Sequence, residues 1–335
     1  MVEPGSVTEY TAVREGGAGL IDLSSRGRIN VSGTEAVPFL NGLITNDVKT
    51  LDLNSWMTAA FPNVQGRLLA AVRVLHTSAG YLLDTEAITS SKVLELVKRF
   101  TLAGDFHVAD LTASTSSISV QGPRSSQLIK ALLGEDAADV ERQRIVQAQS
   151  PEGTTVNVIR ASHTGEDGFD LFADAENVTA LRDALITAGA QPLDLPTLEV
   201  LRIEAGLPRY GVDMDETTIV LETTLDDAVS FTKGCYLGQE IIARIKHRGH
   251  VAKKLTGLRF DSEVNIEAGA KIRSVEGKEI GRVTSAAHSP RLERTVALGY
   301  VKYDYLAAGT KVNVVSAEEG IPAAVAELPF VRGTW

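Results

Sequence analysis

A single cysteine, Cys235, stands in the octet Lys233-Gly234-Cys235-Tyr236-Leu237-Gly238-Gln239-Glu240, between two glycines and just ahead of a run of cations. A thiol attacks as its thiolate, and nearby positive charge lowers its pKa from about 8.5. Lys233, Arg244, Lys246 and Arg248 lie close enough in sequence to supply that charge. Against this chemistry stands the ordinary fate of a free cysteine, burial as a small apolar group. Spacing alone divides the two readings evenly, and the octet as a whole favours the reactive thiol.

The same lone cysteine excludes an internal disulfide, which suits a reducing compartment. It also cannot supply the four thiolates that an iron–sulfur cluster ordinarily takes. No His-x-x-x-His pair or spaced Cys/His set points to a metal, and His247 with His250 reads better as part of a solvated basic face. From Ile241 to Phe260 the chain carries Arg244, Lys246, Arg248, Lys253, Lys254 and Arg259 with no acid, although its net charge is −10. Such a run is either a solvated helix end and linker or a patch for an anion: a polyglutamate tail, a phosphate or RNA. RNA ranks last, because aromatic residues make up only 5% of the chain and offer few stacking platforms.

A second candidate lies in His163-Thr164-Gly165-Glu166-Asp167-Gly168-Phe169-Asp170. Two glycines bracket an acidic turn of hairpin type, and Phe169, Leu171 and Phe172 then resume a strand. Asp170 is the odd residue, a carboxylate among apolar positions. It either faces solvent or accepts hydrogen bonds from a specific partner, such as the ring N–H groups of a ligand. Strand alternation sets it opposite Phe169 and Leu171 and leaves solvent exposure open.

The elements that must position these groups are legible in outline. A chain of 335 residues exceeds one ordinary core, and 44% hydrophobic with 23% charged residues describes a soluble globular protein. Met1–Ser6 lacks the features of a signal peptide, and no window approaches the ~20 apolar residues of a membrane span, so a cytoplasmic protein is expected. Strands are predicted at Arg28–Val31, Trp56–Phe61, Arg67–His76, Tyr81–Asp84, Ser116–Val120, Thr155–His163 and Phe169–Phe172. Ser32-Gly33-Thr34-Glu35 has the form of a capping box ahead of a helix. Pro123, Asp174 and Pro196 open three more, with Gly134, Gly189 and Gly206 as their stops. Clustered strands with hairpin gaps favour antiparallel α+β modules over a doubly wound parallel sheet. After Lys254 only short strands and glycine-bearing turns follow, which reads as an all-β barrel or jelly roll.

Several segments together resemble one superfamily, the folate-binding T-protein of the glycine cleavage system and its YgfZ-type relatives. They are Pro38–Val48, Asn63-Val64-Gln65-Gly66-Arg67, Val120-Gln121-Gly122-Pro123, Thr164–Phe169, Leu201–Gly206, Ser230-Phe231-Thr232 with the octet, Gly281–Ser285 and Leu328–Val331, in family order. The resemblance implies an α+β fold of two interleaved ferredoxin-like modules (residues 1–246). A C-terminal β-barrel or jelly-roll domain (247–335) would follow, arranged with them as a ring around a folate cavity. It implies tetrahydrofolate or a one-carbon derivative as cofactor. Asp170 would hold the pterin in place of the family's glutamate, with Asn46, Asp47, Gln65, Arg67 and Tyr210 around it.

The same alignment sets Ala71 where the T-protein uses an aspartate in transferring its aminomethyl carbon. Leu198 and Ala317 occupy positions where arginines are expected. Positioned acid–base groups typically contribute 10²–10⁴-fold, so the loss at position 71 should be severe. The octet resembles YgfZ-type proteins, and Lys233, Cys235, Gln239, Glu240, Arg244 and Arg248 carry over as candidate functional residues, with Cys235 and Lys233 as the catalytic pair. The main expectation is therefore a tetrahydrofolate-binding accessory protein for maturation or repair of iron–sulfur enzymes, tRNA-modifying ones included. Its partners would be a reduced folate and iron–sulfur client or assembly proteins, with no membrane and no direct nucleic-acid contact. The alternative is a tetrahydrofolate-dependent aminomethyltransferase or demethylase, in which Asp47 or Asp170 stands in for the missing carboxylate.

Overall fold

The computed structural model describes residues 1–99, 104–316 and 319–335, the side chain of Arg248 excepted. Helix α1 (Val7–Arg14) is capped by Ser6, whose hydroxyl accepts the Glu9 N–H. Strand β1 (Gly19–Asp22) begins one sheet, and the chain then leaves it to build a second. That second sheet comprises β2 (Gly27–Ser32), β3 (Ser55–Pro62), β4 (Leu68–Thr77), β5 (Gly80–Thr85) and β6 (His107–Asp110), in the order β3-β4-β5-β2-β6. Helices α2 (Ala36–Leu43) and α3 (Ala87–Lys98) cover one of its faces.

The chain then returns to the first sheet with β7 (Thr115–Gln121), β8 (Ile145–Gln149), β9 (Thr155–Arg160), β10 (Gly168–Asp174) and β11 (Gln191–Pro192), in the order β11-β1-β7-β10-β9-β8. Its outer face is covered by α4 (Ser125–Leu133), α5 (Glu135–Ala138) and α6 (Ala175–Thr187). The two modules are thus interleaved, as expected. Helix α7 (Leu195–Glu204) and α8 (Gln239–Arg248) lead to a closed barrel of β12 (Lys253–Phe260), β13 (Lys271–Ser274), β14 (Glu279–Ser289), β15 (Arg294–Lys302), β16 (Lys311–Ser316) and β17 (Glu319–Ala326). The expected boundary at 246/247 falls inside the last turn of α8.

Period-two alternation sorts each strand between two environments. On β4, Ala70, Val72 and Val74 pack against α2 and α3, while Ala71, Arg73 and Leu75 turn toward the first sheet. On β10, Phe169 and Leu171 join the core beneath α4 and α6, while Asp170 and Phe172 face the second sheet. The inner faces meet through Trp56 and Leu75 on one side and Ile145, Ile159, Ala161 and Phe172 on the other. Asp170 is therefore fully buried: its alternation was legible, but the exposure it left open is closed by the second sheet.

One guanidinium joins the sheets. Arg73 on β4 pairs with Asp84 across the ladder, at 2.7 Å, and with Asp170 of the other sheet. Arg26 completes the group by donating from Nε to both Asp84 oxygens at 3.0 Å. Burial opposes the charge on Asp170, yet His163 and Arg73, with hydrogen bonds from His163 and Ser119, hold its carboxyl far below the ordinary range. Burial likewise opposes the charge on Asp84, and Arg26 and Arg73 outweigh it.

Two further polar clusters fasten the barrel. Asp213 accepts from Thr284 and Ser285 at 2.6 and 2.7 Å, consecutive residues that both reach it because β14 carries a bulge there. Glu204 accepts from Tyr10 at 2.8 Å, Ser289 at 2.5 Å and Arg14 at 2.9 Å, joining α1, α7 and the barrel. One sequence expectation fails locally. The capping box before α2 does not form, because Ser32 ends strand β2, paired with His107, and the helix starts only at Ala36 with Glu35 in the N-cap position.

Removing Arg73 takes from two buried carboxylates the partner they share, leaving Asp84 to Arg26 and Asp170 to His163; breaking a buried pair in this way typically costs about 3–5 kcal/mol. Arg73→Met is expected to lower the urea unfolding free energy by about that amount. The Asp170 carboxyl is depressed by folding, so its contribution is complete above its unfolded pKa of about 3.9 and is lost as pH falls below it. Asp170→Asn should remove this part of the acid sensitivity; a variant whose stability falls with acid as steeply as the parent's would contradict the assignment.

Candidate functional site

Between the inner faces of the two sheets lies a cavity of about 450 Å³. Strands β3 and β4 contribute Trp56, Thr58, Ala71 and Arg73, and the turn after β9 contributes Ser162 and His163. Leu198, Glu199 and Arg202 of α7, Tyr210 and Met214 beyond it, and Trp335 complete the wall. The C-terminal segment is held there by Glu166, which accepts the Thr334 N–H and hydroxyl at 2.9 Å each. The Arg142 guanidinium stacks on the Trp335 ring at 4.1 Å.

The wall is charged but paired. On the sheet side runs the sequence Glu86, Arg26, Asp84, Arg73, Asp170, His163, each contacting the next. His163 Nε2 lies 3.1 and 3.0 Å from the two Asp170 oxygens. On the α7 side Arg202 donates to both oxygens of Glu199, at 2.9 and 2.7 Å, and to Asp213 at 2.7 Å. Arg209 also pairs with Glu199 at 2.7 Å. The Tyr210 hydroxyl donates to Leu68 O at 3.1 Å, and burial, with the nearby charge of Asp215, pushes its pKa up to about 12.

Of the residues singled out from sequence, Ala71, Leu198 and Tyr210 meet in this wall. Asp170 sits immediately behind it, covered by Arg73 and His163. The others lie elsewhere and hold backbone. Asn46 donates to Thr58 O and Asp227 O at 2.8 and 2.9 Å, and Asp47 accepts from Asn41 and the Lys49 N–H. Gln65 is exposed in the turn before β4, and Arg67 is exposed against Thr217 O at 3.4 Å. The side chain of Arg248 and all of Ala317 lie outside the described residues.

The octet has a definite mechanical role. Lys233 buries its ammonium against Ile44 O and Asn46 O, at 2.8 and 2.6 Å, and burial lowers its pKa to about 8 against the upward pull of Asp47. Leu237 N–H donates to Gly42 O at 3.1 Å. Gly238 has φ +75°, and a Cβ there would lie 2.2 Å from Asn63 O. Only glycine accommodates both that conformation and that approach. Gln239 accepts the Tyr236 N–H at 3.3 Å, and Glu240 pairs with Arg244 at 2.7 Å. Of the four cations expected to activate the thiol, Lys233 and Arg244 are therefore engaged with other partners, and Cys235 itself is exposed, outside the cavity lining. The basic run is partly neutralised too, through Lys253 with Glu222 and Lys254 with Asp226.

Sequence reasoning missed Arg73, His163 and the paired residues Glu199 and Arg202. Arg73 could have been flagged as Asp170 was, since it interrupts the apolar run Leu68-Leu69-Ala70-Ala71-Val72-Arg73-Val74-Leu75. A larger depression of about 570 Å³ opens on the barrel, near Arg259, Arg291 and Arg294. It lies apart from both sheets, and the central cavity is the better candidate because both sheets and α7 converge on it.

The family model described as GCVT N-terminal domain matches residues 2–233, and that of the glycine cleavage T-protein C-terminal barrel domain matches 253–332. The aminomethyltransferase of Symbiobacterium thermophilum is 31% identical over 97% of this chain and 89% of its own. That of Rubrobacter xylanophilus is 31% identical over 98% and 87%. Among solved structures, the glycine cleavage system aminomethyltransferase T from Bartonella henselae superposes with a TM-score of 0.87 at 24% identity, covering 98% of this chain and 90% of that one, a likeness of fold. These findings correct the main functional expectation. Relatives that match almost end to end are named aminomethyltransferase, so the iron–sulfur accessory role gives way to the alternative drawn from the same residues.

The thiol and the octet's lysine should behave oppositely. Cys235→Ser is expected to leave unfolding free energy within about 0.5 kcal/mol of the parent, and native protein should react at once with a thiol reagent. Lys233→Ala strands two backbone carbonyls and should cost about 1–3 kcal/mol by urea unfolding. Equal effects from the two substitutions would refute the mechanical reading of the octet.

Proposed function

The chain belongs to the glycine cleavage T-protein family, and from that membership we propose that it is a tetrahydrofolate-dependent aminomethyltransferase or demethylase working in the central cavity. The observation that carries this reading is the nearly end-to-end match to relatives named aminomethyltransferase, together with a cavity lined by Tyr210 and by a histidine seated on a buried carboxylate.

The residues fit such a ligand. A volume of about 450 Å³ falls within the usual range of small-molecule sites. Trp56, in the wall, keeps its indole N–H buried and unpaired among the described residues. Trp335 and Met214 supply apolar surface for a flat heterocycle. A reduced folate, when bound, supplies the amine nitrogens that accept a one-carbon unit. The chain's own part is to enclose the reactants, orient them with fixed hydrogen-bonding groups, and manage the proton released on transfer. Asp170 enters indirectly, since its oxygens are engaged by Arg73 and His163. The octet's resemblance to the YgfZ-type branch concerns residues that fasten the fold, and this functional reading does not draw on it.

Both tryptophans of the chain, Trp56 and Trp335, line the cavity, so intrinsic fluorescence reports on its occupancy. Titration with tetrahydrofolate should quench it saturably with a Kd between about 1 μM and 1 mM. Trp335→Phe should remove part of the signal. With an aminomethyl donor added, methylenetetrahydrofolate should accumulate catalytically. Quenching without product would leave a folate-holding protein and overturn the transferase reading; no quenching would overturn the cavity assignment.

A further inference from the structure

The transfer chemistry needs a group to take and return a proton, and the carboxylate that would do this is absent at Ala71. The wall holds few substitutes. Glu199 has both oxygens bound by Arg202 and pairs with Arg209, and Glu86 is paired with Arg26. Asp22 is exposed and accepts the Ser24 N–H at 2.8 Å. Asp47 is outside the wall and caps a turn. Every buried carboxylate at the cavity is thus committed to an arginine.

His163 is not so committed. Its side chain is 24% exposed, and its Nε2 faces the two oxygens of fully buried Asp170. An ionised carboxylate only accepts hydrogen bonds, so Nε2 must carry the proton of that contact. In the neutral ring this leaves the lone pair on Nδ1, an atom with no protein partner among the described residues. The residue is held firmly: its N–H donates to Gln121 Oε1 at 2.9 Å, and Gln121 donates to Ser119 and Ala161 O at 2.8 and 2.9 Å. A fixed imidazole, with its tautomer set by a buried carboxylate, is the arrangement of a general base.

We infer that His163 is the acid–base residue of this cavity, oriented by Asp170, in place of a carboxylate at position 71; the inference rests on the transferase reading above. In the step it serves, the carbon of the one-carbon unit bonds to the accepting amine nitrogen. Its bond to the leaving group breaks, and the electron pair goes to that group. The nitrogen's proton passes to His163 Nδ1 and from there to the leaving group. Nothing is oxidised or reduced. Asp170 stays ionised throughout and acts as a positioning residue. The charged groups nearest the ring are Asp170 on β10 and Arg73 on β4, while Glu86, Glu199, Arg26, Arg202 and Arg209 line the same cavity.

His163→Gln tests this in the full chain, because the amide can still donate to Asp170 but has no basic nitrogen. Tetrahydrofolate binding, read by tryptophan fluorescence, should change by less than about threefold, while kcat for transfer falls by about 10²–10³-fold. Independently of activity, nitrogen NMR of histidine-labelled parent protein should show the proton of the neutral His163 ring on Nε2. A proton on Nδ1, or a variant retaining at least a third of parental kcat, overturns the assignment. Failure of the unaltered protein to transfer at all removes the parent reading and this one together, and is distinguished by that control.

Discussion

Arg73 joins the two sheets of the α+β body. It binds a carboxylate of its own sheet, Asp84, and one of the opposite sheet, Asp170, with all three groups essentially out of water. Buried ion pairs contribute little net stability against a hydrophobic alternative, because desolvation cancels most of the attraction. What they impose is geometry. Two carboxylates and a planar guanidinium tolerate few arrangements, so the facing strands keep one register and one separation. The apolar contacts of Trp56, Leu75, Ile159 and Phe172 flank this group and supply the non-directional part of the interface.

The cavity follows from the same constraint. If the inner faces carried only large aliphatic residues, the sheets would close upon each other. Instead Ala71 and Thr58 are small, and the long paired side chains of Arg73 and Arg202 border the space while their partners neutralise them. The opposite wall is tied to the barrel through Arg202, Asp213 and the bulge at Thr284-Ser285, so α7 cannot drift without breaking buried hydrogen bonds. Glu166 fixes the C-terminal segment in turn, placing Trp335 at the rim.

Much of this architecture was legible in the chain. Alternation located the central strands of both sheets, and the short strands after Lys254 were read as a barrel. Gly134, Gly189 and Gly206, all with positive φ, closed their helices as expected. The illegible part depends on partners distant in sequence. Ser32 lost its capping role to the sheet, where it pairs with His107, and Asp170 lost its exposure to a strand about a hundred residues away. Helix α3 went unnoticed because its first turns, Ala87-Ile88-Thr89-Ser90-Ser91, are rich in weak helix formers and its formation relies on packing of Val93 and Val97. The octet is the clearest case. Its residues look reactive in isolation, yet the Lys233 ammonium is spent on carbonyls nearly two hundred residues earlier in the chain.

Site reading by residue type also has a bias that this molecule exposes. Attention went to the free thiol and to isolated acids, which are conspicuous in one dimension. The group with open chemistry is a histidine whose significance comes from its neighbour seven residues on. Both ends of that pair were within a segment already singled out, but only the hairpin brings the ring back over the carboxylate, and His163 together with Arg73 from another sheet keeps that carboxylate charged. A proton acceptor can therefore persist in the cavity without an acid at position 71. The same ion pair that sets the distance between the sheets also sets the tautomer of the histidine, so structural and chemical demands on Asp170 are satisfied by one arrangement.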